Sequence, residues 1–174
     1  MAKILVIRLS AIGDVAMTVP VIYSAAKANP QDMFTVLTQA FLIPVFMNRP
    51  SNVDVIGINT KAAEKTLGGL LRFASALVRF DYDIVLDLHD VIRTMIIRNS
   101  FRLKGKKIYV VDKARKERKR LTARNHKDLK PLRPVIERYA DVFRAAGLNY
   151  TETFTSLYGC LLYTSPSPRD PKTS

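Results

Sequence analysis

Short runs of β-branched and other apolar residues alternate along this chain with longer segments whose apolar positions recur every three or four residues. Strands are predicted over Ile4–Leu9, Phe34–Thr38, Val53–Ile58, Ile84–Leu88 and Lys107–Val111. Helices are predicted over Val15–Ala28, a short stretch at Phe41–Met47, Leu67–Phe80, Val91–Arg102 and Pro134–Ala146. The last is followed by Gly147, a residue suited to the left-handed turn after a helix end. Strands that alternate with helices imply a parallel sheet, since each strand must be reached by a crossover, and both faces of such a sheet are covered. The expected class is α/β, a Rossmann-like doubly wound parallel sheet. Ligands in such sheets bind beyond the carboxyl ends of the strands, so the loops after Leu9, Thr38 and Leu88 are the places to search.

Two of these loops carry polar candidates. Ser10-Ala11-Ile12-Gly13-Asp14 leads from the first strand into the first helix, and His89-Asp90 follows the fourth strand, with Arg93 on the next helix. Neither loop is GxGxxG and the chain has no Walker A pattern, so a dinucleotide or triphosphate site in this half is not expected. Taken alone, Asp14 reads as a helix N-cap and Ser10 as a hydroxyl that satisfies a turn. Arg93 reads as a solvated helix residue, Arg138 as a surface partner of Glu137 or Asp141, and His89 as a structural histidine at a strand end.

Composition narrows the class further. The chain has 174 residues, 48% hydrophobic and 25% charged, the balance of one globular domain with a sizeable core. No charge-free stretch exceeds 16 residues, and the one from Met33 to Asn48 contains Pro44, so no membrane-spanning helix is expected. Arg8 and Asp14 interrupt the apolar amino terminus, and no secretory signal is read there. One cysteine, Cys160, excludes an internal disulfide, and two histidines without cysteine partners, His89 and His126, argue against a zinc site. No metal is expected, and the compartment is read as reducing cytoplasm.

The net charge of +13 gains meaning once it is located. Residues 91–150 carry eighteen Lys/Arg against five Asp/Glu, while the rest of the chain is balanced. The densest part, Lys104 through Lys130, presents a positive field suited to nucleic acid, phospholipid or an anionic sugar, or is simply a solvated basic loop or helix face.

The carboxyl terminus, Cys160-Leu161-Leu162-Tyr163-Thr164-Ser165-Pro166-Ser167-Pro168-Arg169-Asp170, reads as the in-frame translation of a transposase-type sequencing adapter. Composition alone would make it a natural Ser/Pro-rich disordered end. The expected organisation is one domain over 1–150, a linker or the start of a following segment over 151–159, and a non-native tail over 160–174. On this reading Cys160 is not native and the natural gene runs on beyond about Gly159.

The opening Lys3-Ile4-Leu5-Val6-Ile7-Arg8-Leu9-Ser10-Ala11-Ile12-Gly13-Asp14, followed by Met17-Thr18-Val19-Pro20, resembles that of glycosyltransferase family nine, the ADP-heptose:lipopolysaccharide heptosyltransferases. Tyr82-Asp83-Ile84-Val85-Leu86-Asp87-Leu88 and Glu137-Arg138-Tyr139 are similar to two further segments of that family, so the resemblance spans about residues 3 to 148. It implies a GT-B architecture of which this chain is the amino-terminal, acceptor-side half. It also implies an inverting, metal-independent transfer of heptose from ADP-heptose to the lipopolysaccharide inner core. Asp14 would be the general base that takes the proton from the acceptor hydroxyl. Ser10 and Gly13 would border the acceptor, with Gly13 letting the backbone turn closely around it. Arg93 and Arg138 would hold its carboxylate and phosphate groups.

No cofactor is implied beyond ADP-heptose as the donor substrate of a full-length parent. The implied partners are the lipopolysaccharide core acceptor and the anionic inner-membrane surface, with nucleic acid not expected. The implied form is a monomer, cytoplasmic and peripheral at the inner face of the inner membrane. Two departures bear on the acceptor: His89-Asp90 stands where many members have Gln-Gly, which offers His89 as a hydrogen-bond partner of a sugar beside its structural reading, and Pro134 stands where many have His. The alternative is a non-catalytic basic module. For nucleic acid, aromatics are sparse among the charges, Tyr109 being the main one, and no RRM, KH or helix-turn-helix pattern appears; for an anionic membrane it would act as a peripheral module.

Overall fold

The structure is a computed structural model and describes residues 1–61, 65–121 and 131–156. The adapter-like tail, His126 and the stretch 122–130 of the basic segment lie outside the described residues. Five strands, β1 (Lys3–Ile7), β2 (Met33–Gln39), β3 (Val53–Ile58), β4 (Ile84–Asp87) and β5 (Lys107–Val110), form one sheet in the order β3-β2-β1-β4-β5. All neighbouring pairs are parallel, with Ile4 opposite Phe34 on one side and Ile84 on the other. The fold is the expected Rossmann-like α/β class.

The helices are α1 (Ile12–Ala16), α2 (Val19–Ala28), α3 (Leu67–Val78), α4 (Ile92–Arg102), α5 (Arg115–Leu121) and α6 (Val135–Ala145), with a 3-10 segment at Ala40–Phe46. The period of two along β1 divides the core. Ile4 and Val6 pack with Ile22 of α2 and Phe143 of α6, while Leu5 and Ile7 pack with Leu70 and Leu77 of α3 and Ile97 and Phe101 of α4. Both faces are thereby covered, and burying these side chains supplies the main stabilisation, about 1.5–3 kcal/mol for each large one.

Two helices differ from expectation. The single helix predicted over Val15–Ala28 is two, broken at Met17 and Thr18. Pro20 has no N–H for the carbonyl four residues back and its ring would meet that carbonyl, so it is tolerated only in the first turn of a new helix, where it sits. The first helix also starts earlier, at Ile12. Within the basic segment, residues 115–121 form α5, which periodicity had not assigned.

Gly147 ends α6 as expected, at φ 80, with its N–H on the Arg144 carbonyl and that of Leu148 on Phe143. Beyond it the chain returns across α2. The Asn149 N–H donates to Asn29 Oδ1, the Thr153 N–H donates to Ser24 Oγ, and Phe154 meets the edge of Tyr23. No helix among the described residues is long and apolar enough to cross a membrane.

Candidate functional site

The strand order reverses between β1 and β4, and at such a switch point the loops leaving two adjacent parallel strands diverge and open a crevice at their carboxyl ends. The loops that diverge here are Ser10–Asp14 and His89–Asp90.

Arg8 organises the first. It lies just past β1, only 7% exposed, and donates from Nη1 to the Leu88 carbonyl at 2.6 Å, tying the ends of β1 and β4 together. Its Nη2 is 2.5 Å from Asp14 Oδ2, and its guanidinium lies 5.8 Å from the centre of the Tyr139 ring. Asp14 is therefore not the N-cap of its helix. That position belongs to Ala11, and Asp14 sits in the first turn of α1, where the dipole favours its charge. Arg8 takes one carboxylate oxygen, and the Asp14 side chain as a whole stays 44% exposed at the cavity wall.

Asp87 organises the second loop. Completely buried at the end of β4, it accepts the N–H groups of His89 and Asp90 on Oδ1 at 2.9 and 2.8 Å, and Arg98 of α4 donates to its Oδ2 at 2.7 Å. Arg98 also pairs with Asp90 at 2.9 Å, and Asp90 pairs in turn with Arg115 of α5 at 3.0 Å. The Asp90 carbonyl accepts from Lys113 Nζ at 2.7 Å. Asp90 has φ 48, a left-handed conformation that aspartate adopts more readily than most residues. Burial lowers the Lys113 pKa, with Arg115 and Arg8 adding to the effect and Asp90 and Asp87 opposing it.

Two adjoining cavities result. One, of about 280 Å³, is bordered by Arg8, Asp14, His89, Lys113, Arg118 and Arg138. The other, of about 820 Å³, is bordered by Ser10, Thr60, His89, Arg93, Lys113 and Arg115. His89, Val91 and Lys113 line both. Of the candidates from sequence, Asp14 and Arg138 meet in the first cavity and Ser10 and Arg93 in the second. Gly13 lines neither: it lies inside α1 rather than in a turn, and a Cβ there would meet nothing within 4 Å.

The surface pairing expected of Arg138 is made by other residues, since Arg133 and Arg144 hold Asp141 at 2.7 and 2.9 Å and Arg133 also reaches Glu137. Arg138 instead donates to the Asp112 carbonyl at 3.3 Å. Its Nε is buried without a partner among the described residues. Arg93 makes no ion pair among the described residues and also borders a 560 Å³ extension with Lys61 and Lys65. The Ser10 hydroxyl makes no hydrogen bond among them, so it does not satisfy a turn. Among the described residues no three His, Cys, Asp or Glu gather to hold a metal ion.

Arg8, Asp87 and Arg98 are the site residues that sequence reasoning missed. The signal was there: an arginine closing an apolar strand and an acid inside a buried one, each needing a partner.

The fold thus defines a Rossmann-like α/β domain with a crevice at its switch point that several cations border. Its structural neighbours are glycosyltransferases of family 9 and heptosyltransferases. The family 9 glycosyl transferase of Veillonella parvula matches with a TM-score of 0.63 and 22% identity over 85% of this chain and 42% of its own. The E. coli heptosyltransferase WaaC, solved with ADP-2-deoxy-2-fluoro heptose, matches at 0.61 with 20% identity over 95% of this chain and 55% of its own. E. coli ADP-heptose lps heptosyltransferase II matches at 0.56 with 20% identity, over 80% and 39%. The chain therefore spans between 39 and 55% of the length of these structures, and at such identities the likeness is one of fold. No protein-family model and no curated protein matches the sequence.

Proposed function

We propose that this chain is the amino-terminal, acceptor-side half of a GT-B glycosyltransferase of the heptosyltransferase kind. Its complete form transfers heptose from ADP-heptose to the lipopolysaccharide inner core with inversion and without a metal. The observation that carries the reading is Asp14: a carboxylate 44% exposed, oriented by Arg8, at the wall of a cavity whose lining includes Lys113, Arg118 and Arg138.

Asp14 acts as general base. One carboxylate oxygen accepts the proton as the acceptor hydroxyl attacks the anomeric carbon, and the bond to the nucleotide diphosphate breaks on the opposite face. Arg8 holds the other oxygen, which fixes the carboxylate's direction. Arg138 and Lys113 on one side, with Arg93 and Ser10 on the other, bind the acceptor's anionic groups and hydroxyls. The same anionic acceptor places the protein at the inner face of the inner membrane, as a peripheral monomer. The cations that border Asp14 in the crevice, Arg8, Lys113 and Arg138, are what support this reading over a nucleic-acid module.

The donor half lies across the cleft in this architecture, so the 174 residues alone should show no heptose transfer. Transfer by the purified chain would contradict that. In the longer parent, Asp14→Asn should lower kcat by about 10²–10⁴ while leaving KM for the acceptor within a few-fold. Unchanged turnover would return Asp14 to a purely structural part.

A further inference from the structure

One histidine stands among the cations of the crevice. His89 lines both cavities, with Arg8, Lys113 and Arg138 on one side and Arg93 and Arg115 on the other. Its backbone is fixed by Asp87, which accepts the N–H groups of residues 89 and 90, and Arg98 clamps Asp87 to Asp90. Ring Nδ1 is buried without a hydrogen-bond partner among the described residues. An unpaired buried N–H is a worse defect than a bare lone pair, so the proton belongs on Nε2, and the ring edge that reaches the crevice is the one carrying it. Burial pushes the imidazole down to about 4, with Arg8 and Lys113 acting in the same direction and Asp87 and Asp14 against it. At pH 7 the ring is neutral.

We propose that His89 is a specificity-determining contact of this crevice, donating from Nε2–H to an uncharged hydroxyl or ether oxygen of a ligand whose anionic groups lie against the flanking cations. The proposal rests on the reading of the crevice as the acceptor site and names what that acceptor presents at its centre. A further cation here would favour a carboxylate or phosphate. A neutral donor selects a sugar hydroxyl, because an oxygen that already carries negative charge gains more from the arginines on either side. Glutamine in the same place would keep a neutral donor, whereas alanine would leave the ligand oxygen unpaired.

The test uses this chain labelled with ¹⁵N in its histidine rings, His126→Asn assigning the two signals. The probes are deacylated, heptose-free lipopolysaccharide core oligosaccharide and, separately, inorganic phosphate. The expected result is an Nε2–H tautomer at pH 7 that shifts with the oligosaccharide and not with phosphate. Dissociation constants should show His89→Ala binding the oligosaccharide about three- to tenfold more weakly, His89→Gln restoring most of the loss, and phosphate binding unchanged in both. Equal oligosaccharide affinity in the wild type and His89→Ala, or an Nδ1–H tautomer, would overturn the role of His89 and leave the site reading standing. No oligosaccharide binding by the wild type would overturn the site reading and this proposal with it. Should His89→Ala fail to fold, the tautomer and its ligand-induced shift in the unmodified chain decide the matter.

Discussion

The two ends of the sheet are built on opposite principles. At the amino ends of the strands, polar side chains satisfy one another and the backbone. Asn52 Nδ2 donates to the carbonyls of Ala26, Asn29 and Asp32, Asn29 reaches Ala25 and Asn149, and Asp32 and Asp83 accept the N–H groups of Ala2 and Lys3. At the carboxyl ends the polar groups are left incomplete. All five buried side-chain atoms without a partner among the described residues lie there or on the helix turns facing it: Arg8 Nε, Thr38 Oγ1, His89 Nδ1, Arg98 Nε and Arg138 Nε. Unpaired buried polar groups cost free energy, and among the described residues that cost falls at the end of the sheet where the acceptor site is proposed. One end closes the fold, and the other carries the groups that the proposed acceptor would meet.

Substitutions can break this contrast, and the Asp14→Asn loss of turnover should be the largest effect because it removes the proposed base; it also removes the charge facing the buried Arg8, so a urea titration accompanies the assay. Next is Asp87→Asn. It keeps the shape of the side chain but removes the charge facing Arg98, itself only 11% exposed, and should cost on the order of 3 kcal/mol in a urea titration. A change below about 1 kcal/mol would show that Asp90 alone suffices to hold Arg98. At the opposite end, Asn52→Ala removes a donor shared by three carbonyls and should cost about 1–3 kcal/mol while leaving ligand affinity untouched. A loss of affinity there would blur the division between the two ends.

The smallest effect concerns pH. The His89 imidazole protonates near its ordinary value of 6.5 in the unfolded chain and near 4 in the folded one. Between those values the unfolded state binds more protons, so this contribution is complete above about pH 6.5 and lost as pH falls to about 4. It amounts to at most about 3 kcal/mol, less after solvent screening. Urea titrations at about pH 7 and about pH 4.5 should show a smaller pH-dependent loss in His89→Gln than in the wild type. Identical losses would mean that the imidazole is not shielded.

Much of the fold was legible in the sequence because each strand is an apolar run bounded by turn residues. The predicted strands end within a residue or two of the observed ones. What escaped was set by tertiary geometry or by a local exception. Pro20 split one helix, and α5 consists almost wholly of charged residues, so no apolar period announced it. In the site, Asp14, Ser10 and Arg93 stood out because they occupy loops or helix starts at the strand ends, and Arg138 because its segment resembles one of the family. Arg8 did not, since its work depends on Leu88, eighty residues away, and Arg98 serves Asp87 only because α4 folds back along β4. Gly13 shows the converse: a glycine in a loop motif suggested a tight turn, and the helix that begins at Ile12 removed the need for one.

The central claim is that the carboxyl end of the sheet, and not the amino end, is a binding site for an anionic, hydroxylated acceptor. The measurement that tests it most directly is amide chemical-shift mapping of this chain titrated with deacylated, heptose-free lipopolysaccharide core oligosaccharide. Shifts concentrated at Ser10, Asp14, His89, Arg93, Lys113 and Arg138, with Asn29, Asn52 and Asp83 unmoved, are the expected result. Saturable shifts centred on the amino end, or none at either end, would contradict it.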